Sequence, residues 1–271
     1  EMYAMPFDRI SYFDYIEKTD LFVPGGLSPV KNIADILTEM RIPHHISNWR
    51  LQEIQNIEAL SQDVRKGEIN FAFLYTAAMD GLLHRVTKDG PEISAKMAWY
   101  ENHIRSLFNE LEKNYQDIYF AVFSDHGMTT LTEVVDVKKP VEKLGFKFGR
   151  DYAAVYDSTM VRLWFFNDRA RRDIVEILDQ IPHSHLLEDE EIKRYGIDFP
   201  DYMYGEKILL MDPGYQIAPS DMGLNALPGM HGFAPEHEDS FAALLSTEKV
   251  DMELKCVDDY FRLMTSRMNL L

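Results

Sequence analysis

Short apolar runs that break off into loops bearing acidic, histidine and glycine residues constrain this chain more than any other feature. Ile69-Asn70-Phe71-Ala72-Phe73-Leu74-Tyr75 is apolar, bounded by polar residues and shorter than a typical helix, the pattern of a buried strand in a parallel sheet. Ile93, Met97, Tyr100, Ile104, Leu107 and Leu111 recur at helical spacing and predict a long helix from about Glu92 to Lys113. Ile118 to Phe123 is a second buried strand. Strand, helix and strand in this order predict an α/β fold, a mostly parallel sheet flanked by helices. Nearer the start, Ser28-Pro29 reads as the cap and first position of a helix carrying Ile33, Ile36, Leu37 and Met40. His44 to Asn48 is extended, and Leu51, Ile54, Leu60 and Val64 mark a second helix stopped by Gly67.

The middle of the chain has a different pattern. Tyr152 to Tyr156 and Thr159 to Phe166, separated by Asp157-Ser158, predict an antiparallel hairpin. A helix over Asp168 to Gln180 follows, then an acidic helix start at Glu188-Asp189-Glu190-Glu191 and a strand from Lys207 to Met211. Residues 212–239 lack periodicity, and the chain closes with a strand over Phe241 to Leu245 and a helix over Val257 to Met268. The expectation is one domain over residues 1–271, with a small antiparallel insert or sub-domain at 150–200.

Charge narrows the function classes. The chain carries 28 basic and 45 acidic side chains, a net of −17, and no Lys/Arg-rich run. Such a field repels nucleic-acid polymers, yet phosphate can be handled if bound cations supply the positive charge. Cys256 is the sole cysteine, so no disulfide can form within the chain; it reads as a packed apolar residue. No apolar run approaches the roughly 20 residues of a membrane span. No Asn-x-Ser/Thr sequon occurs, and the expected location is cytoplasmic. The chain begins at Glu1 rather than Met, and the expectation is a processed chain or an excised or natural fragment.

Three places join strand ends to chemistry-bearing residues. Asp80 and His84 are four apart beyond the first strand, so both can face one ion. The second strand runs directly into Ser124-Asp125-His126-Gly127-Met128, which sets a hard oxygen donor beside a borderline nitrogen donor. His231 lies in Pro228-Gly229-Met230-His231-Gly232-Phe233, on backbone that can approach a ligand closely. In open α/β sheets, ligands gather at the carboxyl ends of the strands. Other residues read as structural: His44 and His45 point to opposite faces of an extended segment, and His183 and His185 alternate along a strand entering a sheet. His237 reads as a solvated residue of an acidic loop, and Met97, Trp99 and Tyr100 as helix packing rather than a base-stacking platform.

Taken together, these motifs resemble the type I phosphodiesterase/nucleotide pyrophosphatase family of the alkaline phosphatase superfamily. The resemblance runs from about Gly25-Gly26 through Asp80 and His84, Gly90-Pro91, Ser124 to Met128, Asp212-Pro213-Gly214-Tyr215, and Gly229 to Phe233. It implies an alkaline-phosphatase-like fold and two divalent ions, zinc by type. Asp80, His84 and His231 would hold one ion, Asp125 and His126 the other. It implies hydrolysis of phosphodiester or pyrophosphate bonds in a small phosphate ester such as a nucleotide; charge and the short apolar runs give the expectation of neither a nucleic-acid polymer nor a membrane as partner.

The family pattern also has an earlier strand ending in a metal-binding Asp, followed by a Thr or Ser nucleophile; neither is recognisable here. Asp8, Asp14 and Asp20 lie in an aromatic, irregular stretch, Thr19 reads as a loop residue and Ser28 as a cap. The expectation is therefore that the chain lacks the N-terminal portion of its parent domain and is an incomplete catalytic domain. The alternatives are a phosphomonoesterase, sulfatase or phosphomutase of the same superfamily, or a non-catalytic metal-binding module.

Overall fold

The computed structural model describes residues 20–268. Asp8, Asp14 and Thr19 lie outside the described residues. Along the chain run α1 (Ile33–Glu39), β1 (His44–Ile46), α2 (Glu53–Lys66), β2 (Phe71–Phe73), α3 (Ala78–Leu83), α4 (Pro91–Asn114) and β3 (Ala121–Phe123). Next come β4 (Thr129–Thr130), β5 (Glu133–Val135), α5 (Lys138–Lys143), β6 (Tyr152–Tyr156), β7 (Met160–Phe165), α6 (Asp168–Leu178) and β8 (Ser184–Leu186). The remainder are α7 (Asp189–Arg194), β9 (Lys207–Met211), β10 (Tyr215–Ile217), β11 (Gly229–Met230), β12 (Leu244–Ser246) and α8 (Asp259–Arg267). The chain divides into two units. The described part of one comprises Leu83–Lys88 and His126–Phe241; that of the other, 20–82, Asp89–Asp125 and 242–268.

In the unit containing β6 to β9, these four strands form an antiparallel sheet in the order β6-β7-β9-β8. The expected hairpin is present, with Tyr156 opposite Val161. The sheet also takes in Lys207–Met211, because Leu209 and Leu210 alternate onto its two faces beside β7. Leu163, Ile174, Leu178, Leu209, Met211 and Ile217 are all fully buried in one cluster. Helix α6 opens at Asn167, whose side chain accepts a hydrogen bond from Ala170 N. β5 pairs with β10 in parallel, and β4 with β11 antiparallel.

In the other unit, β1 and β2 pair in parallel and β3 pairs antiparallel with β12. Its helices form at identifiable signals. Asn32, not Ser28, caps α1, because Asn32 and Asp35 each accept a hydrogen bond from the other's backbone. Gly67 ends α2 at φ 69°, a left-handed conformation that glycine adopts without Cβ strain. Pro91 opens α4 after Gly90. Leu60 and Val64 of α2 meet Leu107 of α4 in a buried cluster. The strands are shallower than their apolar runs suggest: neither β2 nor β3 contains a buried residue, and Val122 is 37% exposed. Met97 likewise faces outward from α4, at 56% exposure. Among the described residues no helix is long and apolar enough to cross a membrane.

Candidate metal centre

Two backbone carbonyls set the geometry of the histidine site. His84 lies just past the end of α3, and its Nδ1 is 2.9 Å from the Gly229 carbonyl oxygen. An imidazole that donates from Nδ1 to a carbonyl presents its Nε2 lone pair outward, the form that binds a metal. His126 Nδ1 is 2.8 Å from the Gly127 carbonyl oxygen and is held in the same way. These arrangements require glycine. A Cβ on Gly229 would lie 2.5 Å from Leu83 O, and one on Gly127 would overlap the Asp239 carbonyl.

His231 directly follows β11 and precedes Gly232, which has φ +90° and accepts a hydrogen bond from Thr159 Oγ1 at 2.8 Å. The His231 ring lies 5.1 Å from that of His84 and 3.8 Å from that of His126, stacked at 22° on the latter. Three imidazoles from widely separated stretches of chain therefore converge. Asp80 is one helical turn ahead of His84 in the first turn of α3. Asp80 is thus the carboxylate nearest in sequence to His84, whose ring neighbours that of His231. Two nitrogens and a carboxylate oxygen form a donor set that suits zinc or a similar divalent ion.

Asp125 immediately follows the serine at the end of β3. Tyr75 and Tyr260 report on its charge: burial raises both phenols, Asp125 raises both further, and Asp80 adds to the effect on Tyr75. Asp80 and Asp125 thus both act on Tyr75. Tyr75 is itself fixed by a 2.8 Å hydrogen bond from its N–H to Ser47 Oγ.

The remaining histidines behave as structural residues. His44 Nδ1 meets Ile42 O at 2.7 Å, and His45 Nδ1 meets Asp63 at 2.8 Å. His183 does not alternate with His185 along a strand. It precedes β8 at φ 58° and stacks on Tyr215 at 3.8 Å, while His185 is exposed beside Glu191. His237 accepts from Asp239 N at 3.3 Å at the start of a short 3-10 turn. Cys256 is exposed rather than packed, with its backbone N–H donating to Asp259 at the start of α8. Asp20 bonds Phe22 N and Arg50.

One feature of this region has no linear signal. Trp49, Leu51, Tyr75, Lys96 and Trp99 line an open groove of about 600 Å³. Trp99 packs edge-on against Tyr100 as helix packing predicts, but it also faces this groove. Glu53, on the groove's wall, carries no mark in the sequence that separates it from other acidic residues.

A search of curated protein sequences returns no match. Solved structures do match. Human ectonucleotide pyrophosphatase/phosphodiesterase 5 superposes with a TM-score of 0.71 at 15% identity, over 88% of this chain and 70% of that one. The murine protein gives the same TM-score and coverages at 17% identity. An inactive murine variant in complex with AMP gives 0.65 at 17% identity, over 78% of this chain and 62% of that one. The fold is therefore α/β and alkaline-phosphatase-like. The family model "type I phosphodiesterase/nucleotide pyrophosphatase" matches residues 15–234, most of the chain, and the chain belongs to this family.

Proposed function

We propose that this chain is the metal-binding portion, an incomplete catalytic domain, of a metal-dependent hydrolase of phosphodiester or pyrophosphate bonds in small molecules, nucleotides foremost. The observation that carries the reading is the convergence of His84, His126 and His231, two of them held at Nδ1 by backbone carbonyls. Asp80, His84 and His231 would hold one divalent ion, and Asp125 with His126 a second, zinc in both cases. When bound, such ions neutralise the phosphate oxygens and lower the cost of bringing a nucleophile to an anion.

The protein's own residues prepare this chemistry. Gly229 and Gly127 aim the imidazoles, and Asp80 and Asp125 supply negative charge that retains cations. A net charge of −17 without such cations would repel the substrate. The groove beside Tyr75 offers two indole rings and a phenol to a planar leaving group. The AMP complex of the murine relative supports a nucleotide as the substrate class. No threonine or serine of the described chain is assigned as nucleophile.

The test is a comparison of zinc-loaded protein on a nitrophenyl phosphodiester, the matching monoester and the matching sulfate ester. The proposal expects weak turnover in which the diester is preferred, lost on chelation and in His231→Ala. Preference for the monoester or the sulfate would transfer the protein to another reaction of the superfamily.

A further inference from the structure

Glu53 is a carboxylate held almost out of solvent by three donors. Its side chain is 13% exposed. Oε2 accepts from Lys96 Nζ at 2.5 Å, while Oε1 accepts from the Tyr100 hydroxyl and from Ala78 N at 3.1 Å. Lys96 is itself 20% exposed, with its ammonium 3.9 Å from the centre of the Trp99 ring and 4.5 Å from that of Tyr100. Lys96 and Tyr100 are one turn apart on α4, and Glu53 begins α2. Ala78 is the first residue of α3, and Asp80 lies two residues further on, in the same turn.

Burial of an ion pair is costly unless further contacts offset it; here Tyr100 and Ala78 donate to the carboxylate, and the Trp99 and Tyr100 rings face the ammonium. Burial raises the Tyr100 phenol and the Glu53 charge raises it further, so its hydroxyl remains a donor through the neutral and mildly alkaline range. The network fastens the backbone of the turn that carries Asp80 to two longer helices.

We propose that Glu53, with Lys96 and Tyr100, is a positioning residue that orients the Asp80 carboxylate toward its cation. The inference rests on the metal reading above. Outer residues that orient ligands typically change metal affinity by about 10–100-fold when lost.

The test measures zinc affinity by competition with a chromophoric chelator, and the melting temperature of the metal-free protein, for wild type and variants. Asp80→Ala should abolish tight binding. Glu53→Gln should weaken it about 10–100-fold, and Tyr100→Phe, which removes a single hydrogen bond, by several-fold on the order of 3 to 10. Glu53→Asp, which keeps the charge, should recover part of the loss. Because Glu53→Gln leaves Lys96 unpaired and can compromise folding, Tyr100→Phe carries the test if that variant is insoluble. A lowered metal-free melting temperature in the Glu53 and Tyr100 variants, with zinc affinity within about twofold of wild type, would mean a structural role only and overturn the proposal. Undiminished zinc affinity in Asp80→Ala would overturn the metal reading first, and this inference with it.

Discussion

The two units of this chain are built to different depths. Around the β6-β7-β9-β8 sheet, strands carry fully buried side chains, with Leu163 and Leu209 at 0% exposure and Trp164 at 1%. In the other unit, β2 and β3 contain no buried residue, and the buried cluster is made by helices α2 and α4. The functional residues follow the same division. The imidazoles of His84, His126 and His231 belong to the unit with the deep sheet, whereas Asp80, Asp125 and the aromatic groove belong to the unit with shallow strands. Hydrogen bonds to the Gly229 and Gly127 carbonyls hold two of the imidazoles, and hydrogen bonds to Glu53 and Ser47 hold the backbone near Asp80 and at Tyr75. Stability and site geometry should therefore respond differently to substitution in the two regions.

The largest expected effect is in the deep sheet. Leu163→Ala should cost about 2–5 kcal/mol in urea unfolding, since a fully buried leucine leaves a cavity that the surrounding strands cannot close. Val122→Ala in β3, at 37% exposure, should cost less than about 1 kcal/mol. Equal costs at the two positions would erase the contrast. Between them lies Gly229→Ala. The added methyl would crowd Leu83 O at 2.5 Å and displace the carbonyl that orients His84, for about 1–3 kcal/mol of overpacking together with weakened zinc binding. Unchanged zinc affinity in that variant would show that the carbonyl does not set the imidazole.

The smallest effect concerns pH. Asp259 accepts from Lys255 N at 2.5 Å and Cys256 N at 3.1 Å, and from the Arg262 guanidinium. The backbone hydrogen bonds, with Arg262, hold its carboxyl well below the usual carboxylate range. A depressed folded-state pKa contributes stability that is complete above the ordinary carboxylate value near 4, and is lost as pH falls from there toward the folded value. Melting curves of Asp259→Asn should therefore be flatter than those of wild type on the acid side of pH 4 and parallel above it. A constant difference between the two proteins at every pH would remove the ionic contribution.

The sequence is most legible where local chemistry decides the structure. Gly67, Gly90-Pro91 and the hairpin across Asp157-Ser158 behave as their residue types require. The start of α1 is less legible, because Ser28 and Asn32 are both competent caps and only the reciprocal partner Asp35 decides between them. Burial of β2 and β3 is hidden for a different reason: an apolar run records the tendency to be covered, not what covers it. Among site residues, His84, His126 and His231 are marked by glycines and strand ends that sequence inspection can find. Glu53 carries no such mark, since its role depends on Lys96 and Tyr100 more than forty residues away.

The most direct test is the position of a bound metal. Crystals of the zinc-loaded protein, measured on either side of the zinc absorption edge, should show an anomalous peak bonded to Nε2 of His84, Nε2 of His231 and the Asp80 carboxylate, at about 2.0–2.2 Å from each. A peak elsewhere, or zinc-saturated crystals with no peak among these three side chains, would contradict the account.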